Sequence, residues 1–376
     1  MSDRSEGPSV SPWRLRLQGA WWFALLAGFV LCLPVLLGWG WWMLLGVVLL
    51  AALVALPAAW LLRRVSTAAA GRSFGAGWLR ATIGWSLALG IALAAPFYYL
   101  ATITDTRPAT IPQVALSNGE KRVVFQGMQH VASENFYKAV IYDVEKALSE
   151  GYVIYYEGVQ TGSPESKAFF GQFADELTGG GKDLEATYKS IGEVCGMAFQ
   201  LDYFGLLEAD KAAHPERHVM ADVDALEMKA EYERLLREDP VFAKAHANDF
   251  KPKPATDDDA LALRVLQWLK DGSASQRALG GIACRGLWTL LLAPSAPKAP
   301  GPMDAVALDF RNRALAQRIM EDPRERIFIT YGANHLPGLL AELRKRDPRW
   351  AVGSVKWLRT IEAPQHLEGR LQGVDG

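Results

Sequence analysis

Between Gln18 and Leu62 the chain contains no Asp, Glu, Lys, Arg or His, and from Ala81 to Thr104 it again contains none. Lysine is missing from the whole of residues 1–104. Uncharged runs of that length exclude a simple soluble globule. Other absences narrow the chemistry. No P-loop, no Gly-x-Gly-x-x-Gly turn, no Gly-x-Ser-x-Gly elbow and no cysteine metal cluster occurs. Lys and Arg total 40 against 41 Asp and Glu, with no concentrated basic face, which argues against nucleic acid as a partner. No repeat of solenoid length is present.

What is there divides by charge. Residues 1–104 hold seven Arg and two acids, a net +5, so residues 105–376 carry −6. The 45-residue run from Gln18 is too long for one span of about 20 residues, and Gly38-Trp39-Gly40 breaks it into helices near 19–37 and 41–62. The run 81–104 is a third span. Tryptophans near the span ends fit an interfacial belt, and Gly84, Gly90 and Ala94 are candidate close-contact positions between helices. Arg14 and Arg16 precede the first span, and Arg63, Arg64, Arg72 and Arg80 lie between the second and third. The positive-inside rule therefore predicts a cytoplasmic N-terminal tail (1–18), a three-span region (19–104) and an extracytoplasmic domain (105–376). That is a multi-pass protein of the inner membrane, with the lipid bilayer as its first partner and its C-terminal domain in the periplasm.

Within 105–376, residues 105–120 read as a connector marked by Pro108, Pro112, Asn118 and Gly119. Arg122–Gln126 reads as a strand. A helix from Ser133 to Ser149 follows, with Phe136, Val140, Ile141, Val144 and Leu148 as its buried stripe, and then a strand, Tyr152–Tyr156. This strand–helix–strand unit predicts a parallel pair. Helical patterning covers 165–178, 183–209, 223–238, 257–271, 274–292 and 304–321. A strand at 326–331, a helix near 337–346 and a strand at 350–358 complete the chain. The fold class is an α/β ectodomain with a helical insertion, preceded by three transmembrane helices. Cys195 and Cys284, in a compartment that permits disulfides, either pair or remain two buried thiols.

Gly127-Met-Gln-His130 and Gly332-Ala-Asn-His335 each follow a strand and precede a helix, and Glu157 stands just beyond a third strand. About half a Gly-x-x-His match is expected by chance, so the shared context is the informative part. If the three strands are parallel neighbours, His130, Glu157 and His335 converge beyond their carboxyl ends, where open α/β sheets bind ligands. Two imidazoles and a carboxylate suit a divalent transition metal with bound water, Glu157 serving as ligand or general base. Otherwise they are polar residues satisfying strand-to-helix turns. His214-Pro-Glu-Arg-His218 reads as a Pro-started turn exposing two histidines. His246 and His366 read as surface residues, and Tyr156 as strand core or cleft lining.

The segments Val123–Val131, Val153–Gly158 and Ile327–Gly338, with Arg311-Asn-Arg313 before the last of them, resemble the TraB/Tiki/GumN group of the erythromycin-esterase/ChaN-like superfamily across essentially all of 105–376. The resemblance implies a membrane-anchored, metal-dependent hydrolase acting on peptides or proteins. His130, His335 and Glu157 would be metal ligands and catalytic groups, Arg311 their polar partner, and Mn, Co or Zn the cofactor. His218-Val-Met-Ala-Asp222 adds Asp222 as a further ligand. Met128 stands where the family has a small residue, and three N-terminal spans are not the usual Tiki anchor. Since the superfamily also includes a haem-binding lipoprotein, the resemblance leaves open, as the alternative, a non-catalytic receptor for a peptide, haem or other small ligand.

Overall fold

The computed structural model describes residues 11–65, 73–178, 184–247, 249–250, 257–292, 301 and 303–364. The chain forms two compact units: one runs to Thr102 and includes Gly272–Ala283, the other comprises Ile103–Asp271 and the chain from Cys284.

In the first unit the apolar runs form helices Pro12–Trp39, Trp41–Val65 and Phe74–Thr106, each with a stretch long and apolar enough to cross a membrane. Gly40 makes the reversal between the first two with φ 122°, a conformation that disfavours any side chain. Small residues set the packing of the third helix against the first. A Cβ at Gly90 would stand 2.5 Å from the Phe29 ring, and one at Gly84 3.5 Å from Trp22. Ala94 packs with Cys32, Val35 and Leu279. The distant segment Gly272–Ala283 joins this unit through Leu279 and through Gln276, whose amide donates to Trp39 O (3.2 Å).

The second unit is built on a six-stranded sheet of order β6-β4-β7-β2-β1-β8. The strands are β1 (Thr110–Ser117), β2 (Arg122–Met128), β4 (Val153–Tyr156), β6 (His218–Met220), β7 (Arg326–Gly332) and β8 (Ala351–Arg359); β3 (Val131–Ala132) and β5 (Ala198–Phe199) form a separate ladder. Strands β6, β4, β7 and β2 are mutually parallel, and β1 runs antiparallel to both β2 and β8.

Alternation along the strands feeds two cores. Val123, Phe125, Val153, Tyr155, Ile327 and Ile329 face helices Arg311–Glu321 and His335–Arg346. Ile154 and Phe328 face helix Glu134–Ser149, whose expected stripe of Phe136, Val140, Ile141, Val144 and Leu148 is buried throughout. Each such side chain contributes roughly 1.5–3 kcal/mol. Ser133 caps that helix, its hydroxyl accepting from Phe136 N at 3.3 Å.

Four expectations are corrected. Residues 110–117 are a strand rather than a connector: Val114 and Leu116 alternate into the core despite Pro112. Strands β2 and β4 are parallel but not adjacent, because β7, apolar on both faces, lies between them as a central strand does. The 183–209 helix is interrupted where Gly196, at φ 63°, ends helix Leu184–Cys195 and β5 pairs with β3. His218 belongs to strand β6, and its side chain is buried rather than exposed. Cys195 and Cys284 are joined in a disulfide.

Candidate functional site

The three predicted strands lie side by side as β4-β7-β2, so their carboxyl ends meet. Glu157, one residue beyond β4, donates its backbone N–H to Thr330 O (3.1 Å). Its carboxylate accepts from Gly332 N through Oε2 (2.5 Å) and from Arg311 Nη2 through Oε1 (2.7 Å). Arg311 also forks Asp222, with Nε to Oδ1 at 3.0 Å and Nη2 to Oδ2 at 2.5 Å. Asp222 takes two further backbone donors, Gly158 N (3.0 Å) and Val223 N (2.9 Å). A planar guanidinium can span two carboxylates in this way; an ammonium cannot reproduce the fork.

Arg311 is delivered by the wide turn Ala305–Phe310 that opens its helix, and the Tyr331 ring lies 5.9 Å beneath it. Burial opposes the charge on Glu157, but His335, Arg311 and the Gly332 N–H outweigh it, and the carboxyl is held well below its ordinary range. Burial likewise opposes the Arg311 charge, and Asp222 and Glu157 more than restore it.

His335 is the first residue of its helix and is buried. Its Nδ1 lies 2.8 Å from Asn312 Oδ1. An amide oxygen only accepts, so Nδ1 carries a proton. Nε2 lies 3.6 Å from Glu157 Oε1, beyond hydrogen-bond length.

His130 has a different setting. It sits in the bend between β2 and β3, where its carbonyl accepts from Gln200 N (3.0 Å) and its ring stacks on Tyr188 (centroids 4.7 Å apart, 24° between planes). It opens onto a cavity of about 520 Å³ whose wall also includes Glu157 and Arg311. Phe170, Phe173, Leu177, Phe199 and Met228 give that cavity its apolar lining. Withdrawal from bulk water lowers the His130 pKa; Glu157 opposes this and Arg311 reinforces it.

The structure therefore joins Glu157, Arg311, Asp222 and His335 in one network and places His130 on the same cavity wall as Glu157 and Arg311. These groups do not fit a resident metal. Arg311 occupies both carboxylates with a positive charge, and among the described residues no three His, Cys, Asp or Glu side chains converge on a common point. Asp222 is the guanidinium's partner. Neither glycine before a histidine has positive φ. A Cβ at Gly127 would meet Ile111 at 2.4 Å, and one at Gly332 would press on Glu157 Oε2 at 3.3 Å.

Among other histidines, His246 is buried against Asp249 (2.6 Å) rather than at the surface, and His366 lies outside the described residues. Sequence reasoning missed Asn312, Tyr188 and Gln200. Asn312 lies inside the Arg311-Asn-Arg313 segment and could have been weighed there; Tyr188 and Gln200 reach the site only through the β3–β5 ladder and carried no local signal. No family model, curated protein or solved structure matches this chain.

Proposed function

We propose that the second unit is a membrane-anchored, extracytoplasmic hydrolase of amide or ester bonds in peptides or proteins, working through its own side chains. The observation that carries this reading is the placement of His130, Glu157 and Arg311 on one wall of one cavity at the carboxyl end of a parallel sheet. His130, its pKa lowered, takes the proton from an attacking water. Arg311 has five N–H groups: Nε–H and both on Nη2 go to the two carboxylates, and one on Nη1 points to Ala307 O (3.3 Å). The fifth is left for an oxygen that gains negative charge as the carbonyl is attacked. Glu157 and Asp222 hold the guanidinium in place, and His335 backs Glu157. The TraB/Tiki-type resemblance supports the choice of residues and the peptide substrate.

The arginine pattern places the N-terminus in the cytoplasm and everything after Thr104 outside. Within the first unit the Trp39 end of the spans packs against Gly272–Ala283, a segment that follows the third span in the chain. Both features support a Gly40 turn on the extracytoplasmic side. The test is incubation of the full chain, purified in detergent, with peptide and ester libraries in the presence of EDTA. Cleavage that His130→Ala abolishes supports the proposal. Cleavage that requires added Mn, Co or Zn supports a metal site instead, and retention of intact ligand supports a receptor.

A further inference from the structure

The cleft continues past Glu157. A second cavity of about 440 Å³ shares Glu157, Gln200 and Leu201 with the first, so the two meet along that line. Both are mostly apolar. The first is walled by phenylalanines, whereas the second sets Tyr156, His218, Glu208 and Lys211 beside Phe204, Leu207 and Met220.

Behind the Tyr156 hydroxyl runs a fixed hydrogen-bonded chain. His218 Nδ1 lies 2.7 Å from the Tyr156 oxygen, and its Nε2 lies 2.7 Å from Asp210 Oδ2. Arg217 Nη2 holds the other Asp210 oxygen at 2.8 Å. The ionised Asp210 can only accept, so Nε2 carries the hydrogen, and Nδ1 of the neutral ring receives the Tyr156 O–H. The phenol oxygen then has only lone pairs left, and it is an acceptor aimed at a cavity. Burial, together with Asp210 and Glu208, raises the Tyr156 pKa, so this oxygen stays a neutral phenol.

We propose that the two cavities are halves of one cleft that binds an extended peptide, an apolar side chain filling the first and a backbone N–H of the following residues donating to the Tyr156 oxygen in the second. An acyl chain would cover the Tyr156 oxygen without donating to it, at a desolvation cost. A compact ester would fill only one half. The proposal rests on the reading of this cleft as a substrate site, but not on which group does the chemistry.

Gly205 offers a clean test. It lines the second cavity, has helical φ (−56°), and a Cβ there meets nothing within 4 Å. Gly205→Trp therefore fills that half without straining the backbone, and Tyr156→Phe removes one oxygen. The full chain in detergent is equilibrated with a pooled random hexapeptide library and a pooled dipeptide library, and retained and cleaved species are read by mass spectrometry. Each variant should retain hexapeptides about tenfold more weakly, the scale of one lost hydrogen bond in a dry site, and should leave dipeptides unchanged. Equal effects on both lengths, or none on either, overturn the cleft, as does a wild-type chain that retains neither length. Hexapeptides retained intact and released by Gly205→Trp uphold the cleft while contradicting hydrolysis, so the two failures are separable.

Discussion

The two Gly-x-x-His turns share a spacing but not a role. The parallel register pairs Gly127 with Tyr331 and Met128 with Gly332, so the two motifs are one residue out of step in the sheet. Beyond the paired residues the two turns diverge, one ending in a histidine open to a cavity and the other in a buried one. After β7 the helix begins at His335 itself, whereas after β2 the short strand β3 intervenes before the helix starts at Glu134. Motif spacing alone does not make two residues equivalent; the path of the chain beyond each strand decides.

Exchanging the two histidines for alanine separates their roles most strongly. His130→Ala should lower hydrolysis by about 10²–10⁴-fold, the usual worth of a general base, with the unfolding free energy changed by no more than about 0.5 kcal/mol. His335→Ala leaves the buried Asn312 acceptor unpaired and should cost about 1–3 kcal/mol in denaturant melts. Equal stability losses in both would mean the turns are equivalent after all.

Removing the cation that unites the network comes next. Arg311→Met leaves Glu157 and Asp222 facing one another with no counter-charge, at a cost of about 3–5 kcal/mol. The pH dependence should reverse with it. In the wild type the depressed Glu157 pKa supplies stability that is present above the unfolded value of about 4.3 and is lost as pH falls through the folded value. In Arg311→Met the buried carboxylates favour protonation, so stability should rise as pH falls from 7 toward 5. Thermal melts across that range read the sign.

The glycines sharpen the comparison at smaller scale. Gly127→Ala drives a methyl into Ile111 and should cost about 1–3 kcal/mol, recovered in part by adding Ile111→Ala. Gly332→Ala meets the Glu157 carboxylate at 3.3 Å and the His335 ring at 3.6 Å, and should cost less while disturbing activity more. The smallest effect is a shift in the pH–rate profile. Desolvation lowers the His130 pKa, so the acid limb should fall below the ordinary value of about 6.5. Glu157→Gln, which removes the charge that raises this pKa, should move the limb lower still.

Much of this was readable in the chain. The three apolar runs, the capped helix after Ser133 and the strands before Glu157 and Gly332 all follow from periodicity and punctuation, and they place Glu157 and His335 just beyond strand ends. The order of the strands was not readable: nothing local says that β7, some 200 residues downstream of β2, inserts between β2 and β4. Strand β1 was hidden by its own Pro112, and β6 by its three-residue length. The role of Arg311 was legible as a partner but not as the residue that occupies both carboxylates, because that depends on Asp222 and Glu157 meeting across β4 and β6. The metal expectation counted donors along the sequence, and the guanidinium that pairs with the two carboxylates arrives from a helix far downstream of both.

The most direct test of a site that works through its own side chains is peptide cleavage by the full chain, before and after exhaustive EDTA treatment, beside His130→Ala. The account predicts cleavage unchanged by EDTA and abolished by His130→Ala. Cleavage lost to EDTA and restored by Mn, Co or Zn would contradict it.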